Sequence, residues 1–363
     1  MPVILVIAVA VSVFAFGKIG FCGERAMWAI NSDTLILFGK GSTDRFSEND
    51  APWTQYADKI SCVRIGKDIT GIGENIFSSL TSLESVFVHE ENGSFCSDES
   101  GVLFTKDMST LVLYPKASVN SAYTVPDSVS FISISAFSDS ANLTEITLPD
   151  SLGEIGSHAF SGCIGLETIV IPDGVTGIGT QSFYFCKSLK SIVIPGSVRS
   201  VSVAAFSLCN SVTDIYFVGT KEQWETLLVE GNNNWTVPEI HFVMDFGSCG
   251  ADSEYYITRE RTLVISGKGR TDNFLQGDVP WNVFCDKILA VSVGDGITGL
   301  GDYIFSSLSR VNTVNIPKSV TYIGAGAFDG FTKDQSINIT QSPEQNFSAD
   351  WQSGCEATVN YTF

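Results

Sequence analysis

Basic side chains are scarce in this chain of 363 residues: 21 Lys and Arg stand against 40 Asp and Glu, a formal net charge of −19. A polyanion needs a clustered Lys/Arg surface from which to displace counterions, so nucleic acid is excluded as a partner. Histidine is scarcer still. His89, His158 and His241 are the only three, widely separated along the sequence. Zinc and triad chemistry, which use imidazoles held beside thiols or carboxylates, have little to draw on. The motifs of catalysis are missing too: no Gly-rich phosphate loop, Cys-x-x-Cys, His-Glu-x-x-His or Gly-x-Ser-x-Gly occurs. We therefore expect no enzyme activity, catalytic residue, metal or cofactor.

Long apolar runs are also rare. The single one, 3–16, has no charged residue and, apart from Ser12, consists of Val, Ile, Leu, Ala and Phe. As a helix it covers about 21 Å, short of a hydrocarbon core of ~30 Å. That length suits a signal-peptide core, with small residues near Ala15 and Gly17 for cleavage, although no Lys or Arg precedes it. Residues 1–17 are read as a signal peptide, so the rest is expected to be secreted or at the cell surface, without a transmembrane span. Hydrophobic residues make up 44%, enough to exclude a disordered chain. At ~150 residues per domain, the length suggests two domains.

What the chain has in abundance is repetition. Pro126, Pro149, Pro172 and Pro195 recur every 23 residues, as do Phe137, Phe160, Phe183 and Phe206, and Cys163, Cys186 and Cys209. The unit reads L-x-x-I-x-I-P-x-x-V-x-x-I-G-x-x-A-F-x-x-C-x-x, as in 166–188. Leu166, Ile169 and Ile171 fit a short strand with alternate side chains in a core. Pro172 lacks the N–H a ladder needs and ends it. Val175 and Ile178 form a second apolar pair, Gly179 allows a turn, and Ser182-Phe183 is expected as a short helical turn with Phe183 inward. One such rung cannot bury its own apolar face, so rungs must stack into a solenoid. The ladder cysteines fit the core as small apolar side chains.

This pattern resembles the BspA-like leucine-rich repeat family (LRR type 5), whose units carry the same I-P-x-x-V-x-x-I-G-x-x-A-F-x-x-C signature. The resemblance implies a leucine-rich repeat solenoid of 23-residue strand-turn-short-helix rungs, β-rich within the α/β class. Rungs fall at 60–82, 120–142, 143–165, 166–188 and 189–211, then at 288–310 and 311–333. A longer period overlies the short one. Gly39-Lys40-Gly41-Ser42-Thr43-Asp44 returns as Gly267-Lys268-Gly269-Arg270-Thr271-Asp272, and Pro52-Trp53 as Pro280-Trp281. The chain is read as two tandem capped modules. The first has an opening cap at 18–59, repeats over 60–211 and a closing cap at 212–246. The second has a cap at 247–287, repeats over 288–333 and a closing element at 334–363. Trp53 and Trp281 are expected to pack the caps.

Between 83 and 119 the spacing breaks, and the segment is expected to leave the solenoid as an inserted hairpin. Its acidic residues Glu90, Glu91, Asp98 and Glu99 lack the spacing of a calcium loop. Cysteine pairing does not follow from spacing. Cap-to-rung bridges Cys22–Cys62 and Cys249–Cys285 are one arrangement open to an exported chain.

The candidate site is a surface. In the strand L-x-x-I-x-I the fifth position points away from the core. The expected ligand-binding face is Arg64, Phe87, Thr147, Val170, Val193 and Tyr216, joined in that column by Thr124 and, in the second module, by Ser292, Asn315 and Asn338. The family resemblance implies an adhesin-like protein whose partner is an extracellular-matrix or other host or cell-surface protein, or a glycan. The alternative is a structural coat glycoprotein, since Asn92, Asn142, Asn234, Asn338, Asn346 and Asn360 each open an N-x-[ST] sequon.

Overall fold

The computed structural model describes residues 18–47, 49–229, 239–340 and 346–362. The signal-peptide expectation for 1–17 and the Asn234 sequon lie outside them. The chain divides into two compact units: Met1–Ile215 with Thr226–Glu239, and Tyr216–Glu225 with Ile240–Phe363.

The rung at 166–188 shows how the repeat folds. Strand Thr168–Val170 pairs in parallel with Ser191–Pro195, Ile169 opposite Ile192, and the short strand Gly177–Ile178 pairs with Ser200–Val201. Leu166, Ile169, Ile171, Val175, Ile178, Phe183 and Cys186 all point into the core, and none exceeds 2% exposure. The second strand type also stacks backwards along the chain, from Gly177–Ile178 through Glu154–Ile155 and Phe131–Ile132 to Thr110–Leu113. Each rung thus contributes to two parallel ladders with a core between them.

The segment expected as a short helical turn takes another form. The N–H groups of Gln181, Phe183 and Phe185 donate to the carbonyls of Val203, Ala205 and Ser207 on the next rung, at 3.1, 2.8 and 2.9 Å. Those of Ser182, Tyr184 and Cys186 close local turns onto Gly179, Gln181 and Phe183. Every second N–H is committed between rungs, so none remains for a continuous helix. The alternation needs left-handed residues, and they recur with the repeat. Ser135, His158, Gln181 and Ala204 have φ of 52–57°, and Asp139, Gly162, Phe185 and Leu208 have φ of 61–75°. Among the described residues, Lys221–Thr226 is the one α-helix.

The Phe and Cys columns lock together. Rings of Phe137, Phe160, Phe183 and Phe206 stack at centroid distances of 4.8, 5.0 and 5.1 Å, within 14° of parallel. The thiols of Cys163, Cys186 and Cys209 donate to the carbonyls of Phe137, Phe160 and Phe183 at 3.1, 3.2 and 2.9 Å. Burial pushes the Cys163 thiol up to about 12. All three are buried core residues, each with a hydrogen bond to the carbonyl of the rung before it.

The segment 83–119 does not leave the solenoid. Strands Phe95–Ser97, Leu103–Thr105 and Thr110–Leu113 form an antiparallel meander whose last strand joins the parallel ladder through Leu111 and Ile132. Tyr114, 23 residues before Phe137, stacks on it at 5.0 Å, and its N–H donates to Ala136 as that of Phe137 does to Ala159. The insertion ends by re-entering the Phe column with a Tyr. Two of its acidic groups are engaged: Asp98 accepts from the Val102 N–H and the Tyr123 hydroxyl, and Glu91 pairs with Lys67.

Both units open on the same cap. Trp53 and Trp281 are fully buried, edge-on to Trp28 at 5.8 Å and to Tyr255 at 4.9 Å, with Phe46 and Phe274 each 6.1 Å away. The repeated Gly-Lys-Gly segment turns through left-handed glycines, φ 95° and 86° in one copy and 92° and 79° in the other. It delivers a buried threonine whose hydroxyl accepts the first rung's N–H: Gly73 to Thr43 at 2.8 Å, Gly301 to Thr271 at 2.7 Å. All nine cysteines are free. The bridges Cys22–Cys62 and Cys249–Cys285 are not formed. Cys22 is buried under the first cap, whereas Cys62 shares the outward side of strand Cys62–Ile65 with exposed Arg64.

Candidate functional site

Period-two alternation fixes which side of each strand meets the core. In strand Cys62–Ile65, Val63 and Ile65 are buried and Arg64 is exposed. In Ser85–Val88, Val86 is buried and Phe87 is 46% exposed. Arg64 and Phe87 are in register on adjacent parallel strands, and the guanidinium lies over the ring at 5.3 Å. A cation held over an aromatic face in water contributes about 0.5–1 kcal/mol, less than the rotamer entropy of a fixed Arg, so the contact biases both side chains without locking them.

Further along the first unit, exposed Thr147 is in register with exposed Thr124, and Val170 is 46% exposed. Val193 departs from expectation. It is in register with Val170 but only 4% exposed. Alternation sets the direction of a side chain and leaves its accessibility to whatever lies over it, so Val193 is no contact residue.

Tyr216 belongs to the second unit and is half-buried among rings. It stacks on His241 at 4.8 Å and tilts against Tyr256 at 4.9 Å and Phe246 at 5.5 Å. Beside this cluster is an open cleft of about 520 Å³, lined by His241, Tyr256, Thr258, Arg259, Lys221 and Glu222. The Arg259 Nε–H is tied to the Gly219 carbonyl at 3.0 Å.

The second unit's outward column continues in register from Phe246 through Tyr256, Val264, Ser292 and Asn315 to Asn338 and Asn360. The last three form a side-chain ladder that sequence reasoning did not foresee. Asn338 Nδ2 donates to Asn315 Oδ1, and Asn360 Nδ2 to Asn338 Oδ1, both at 2.9 Å. The signal was available, since amides at matching positions of parallel strands come within hydrogen-bond reach.

The sequons fare differently from one another. Asn92 is 1% exposed. Its Nδ2 donates to the carbonyls of Gly66 and Ile69 at 2.8 and 3.0 Å, and its Oδ1 accepts from the N–H groups of Ser94 and Phe95 at 2.8 and 2.9 Å. It closes the turn that starts the meander and offers no surface to an enzyme. Asn142 donates to the Ser118 carbonyl at 3.0 Å, and Asn346 is exposed.

Two parallel ladders and a stacked aromatic core define a leucine-rich repeat solenoid of the short, 23-residue kind. The family model "BspA type Leucine rich repeat region" matches six copies over residues 114–234 and 282–356, more than half of the chain. The chain belongs to that family. No curated protein matches it. Among solved structures it is similar to a leucine-rich repeat protein from Eubacterium ventriosum, at 18% identity and a TM-score of 0.37, covering 86% of this chain and 95% of that one. It is also similar to the pneumococcal vaccine antigen PcpA, at 18% and 0.42, covering 84% of this chain and 56% of that one. A third is a leucine rich cell surface protein from Faecalibacterium prausnitzii, at 18% and 0.33, covering 97% and 96%. No helix among the described residues is long and apolar enough to cross a membrane.

Proposed function

We propose that the chain is a non-enzymatic secreted or cell-surface protein that binds a protein or glycan through its outward sheet faces. The contact residues are Arg64, Phe87, Thr147 and Val170 in the first unit and Tyr216 in the second. Val193, being buried, is left out. The observation that carries the reading is the pair of large apolar side chains, Phe87 and Val170, each 46% exposed on strands whose opposite sides fill the core. Exposed apolar groups on a face already rich in β-branched residues are the kind of surface that a partner covers.

The family signature adds the setting, an adhesin-like role at a surface, and the partner class, an extracellular-matrix or other host or cell-surface protein, or a glycan. The coat-glycoprotein alternative loses one of its sequons, because Asn92 is buried with its amide fully used. The test is a triple variant, Phe87→Ala with Val170→Ala and Tyr216→Ala, assayed against arrays of matrix proteins and glycans after circular dichroism shows an unchanged fold. Loss of binding supports the sheet-face reading. Binding equal to that of the parent chain removes it.

A further inference from the structure

Within the last three strands, Thr313–Ile316, Ser336–Thr340 and Thr358–Thr362, no outward position carries a charge, in a chain with 40 acidic side chains. One column is Thr313, Ser336 and Thr358, the next is Asn315, Asn338 and Asn360, and Thr340 stands opposite Thr362. The first column is linked as well, with the Thr313 and Ser336 hydroxyls 2.9 Å apart. Exposed Ser292 and half-buried Val264 carry the amide column back, in register, to the rings of Tyr256 and Phe246.

A primary amide has two N–H donors and two acceptor lone pairs. In the ladder, Asn338 uses one donor and one acceptor. One N–H and one lone pair therefore remain on Asn338, and at least as many on its neighbours. Because each amide is fixed by the next, these free groups are already oriented, and a ligand that uses them loses little rotamer entropy on binding. The spacing between them is that of parallel strands, about 4.8 Å.

We infer that this face binds a neutral polysaccharide, its hydroxyls paired with the Asn and Ser/Thr rows and a sugar ring resting on the Tyr256 end. A hydroxyl both donates and accepts, which matches an amide with one of each to offer. Extended hexose chains repeat on the same length scale as the rungs, and the C–H side of a pyranose is apolar enough to cover an aromatic ring. Acidic polymers are disfavoured by the net charge of −19 and by the lack of any Lys or Arg in these rows. The inference rests on reading outward sheet faces as the binding surface, and names the ligand class for one of them.

Affinity electrophoresis of the full chain tests it, in gels cast with a β-glucan, a mannan or a galactan, and with polygalacturonate as the acidic counterpart. Retardation by at least one neutral polymer and none by polygalacturonate is expected. Asn338→Leu, which removes the amide, and Asn338→Asp, which adds charge, should each weaken retardation about tenfold, the equivalent of one lost polar contact. Asn360→Ala, at the exposed end of the ladder, serves as the milder variant if either fails to fold by circular dichroism. No retardation by any neutral polymer, or folded Asn338 and Asn360 variants that run like the parent, would overturn the inference. If the triple variant of Phe87, Val170 and Tyr216 loses a protein ligand while no neutral polymer retards the parent chain, this inference falls and the sheet-face reading stands.

Discussion

Replacing Asn92 separates a structural role from a modification site. The residue makes four hydrogen bonds of 2.8 to 3.0 Å in a site that is 1% exposed. Asn92→Ala removes all four, two acceptors for N–H groups and two donors to carbonyls. At about 1 kcal/mol net for each bond, the loss is on the order of 4 kcal/mol, a large part of a domain's stability. Asn92→Asp keeps the acceptor for Ser94 and Phe95 but sets a carboxylate oxygen against the carbonyls of Gly66 and Ile69. It should cost at least as much at neutral pH and recover in part when acid protonates the carboxyl. Urea unfolding followed by circular dichroism gives the numbers, and mass spectrometry of the chain from a glycosylating host shows whether Asn92 is modified. A loss below ~1 kcal/mol for Asn92→Ala, or a glycan on Asn92 of the folded protein, would refute the reasoning.

Three further outcomes follow from the packing. Burial pushes the thiols of Cys22, Cys163 and Cys249 from 9.0 up to about 12. The folded chain therefore holds these protons more tightly than the unfolded one. Their contribution is complete below pH 9 and is lost as pH rises towards 12, by about 4 kcal/mol per pH unit for three thiols in that window. Urea midpoints under reducing conditions should hold from pH 7 to 8 and fall steeply by pH 10.5; a flat profile would contradict this. Phe185 occupies a left-handed position, φ 63°, where the rung before it has Gly162. Phe185→Gly should recover part of the ~1–2 kcal/mol that such a conformation costs, more than the ~0.5–1 kcal/mol of the exposed Lys187 contact it gives up, read as a raised thermal midpoint; a lowered midpoint would contradict this. Thr43→Val and Thr271→Val each orphan a first-rung N–H and should cost about 1–3 kcal/mol by the same assay, with similar values at the two sites.

Much of the fold could be read from the sequence because a solenoid repeats its physics. Phe160 and Cys163 occupy one environment in every rung, so a 23-residue interval is enough to place them in the core. The doubled Gly-Lys-Gly and Pro-Trp segments marked two caps for the same reason. What periodicity could not supply is whatever depends on neighbours outside the repeat. Val193 points outward by alternation and is nonetheless buried. Tyr114 restores the Phe column after a break in spacing that looked like a departing hairpin. Gln181 and Phe185 adopt left-handed turns because their N–H groups bond to the next rung, a demand invisible within one unit. Asn92 reads as a sequon until its four partners, from two separate segments, are seen around it.

The binding reading meets its most direct test in an isotherm. Full-length chain is titrated onto immobilised extracellular-matrix proteins and neutral glycans, with the heat-unfolded chain as control. Saturable binding by the folded chain, shifted at least about tenfold by the Phe87, Val170 and Tyr216 substitutions, is the predicted result. Uptake that rises without saturation and matches that of the unfolded control would contradict it.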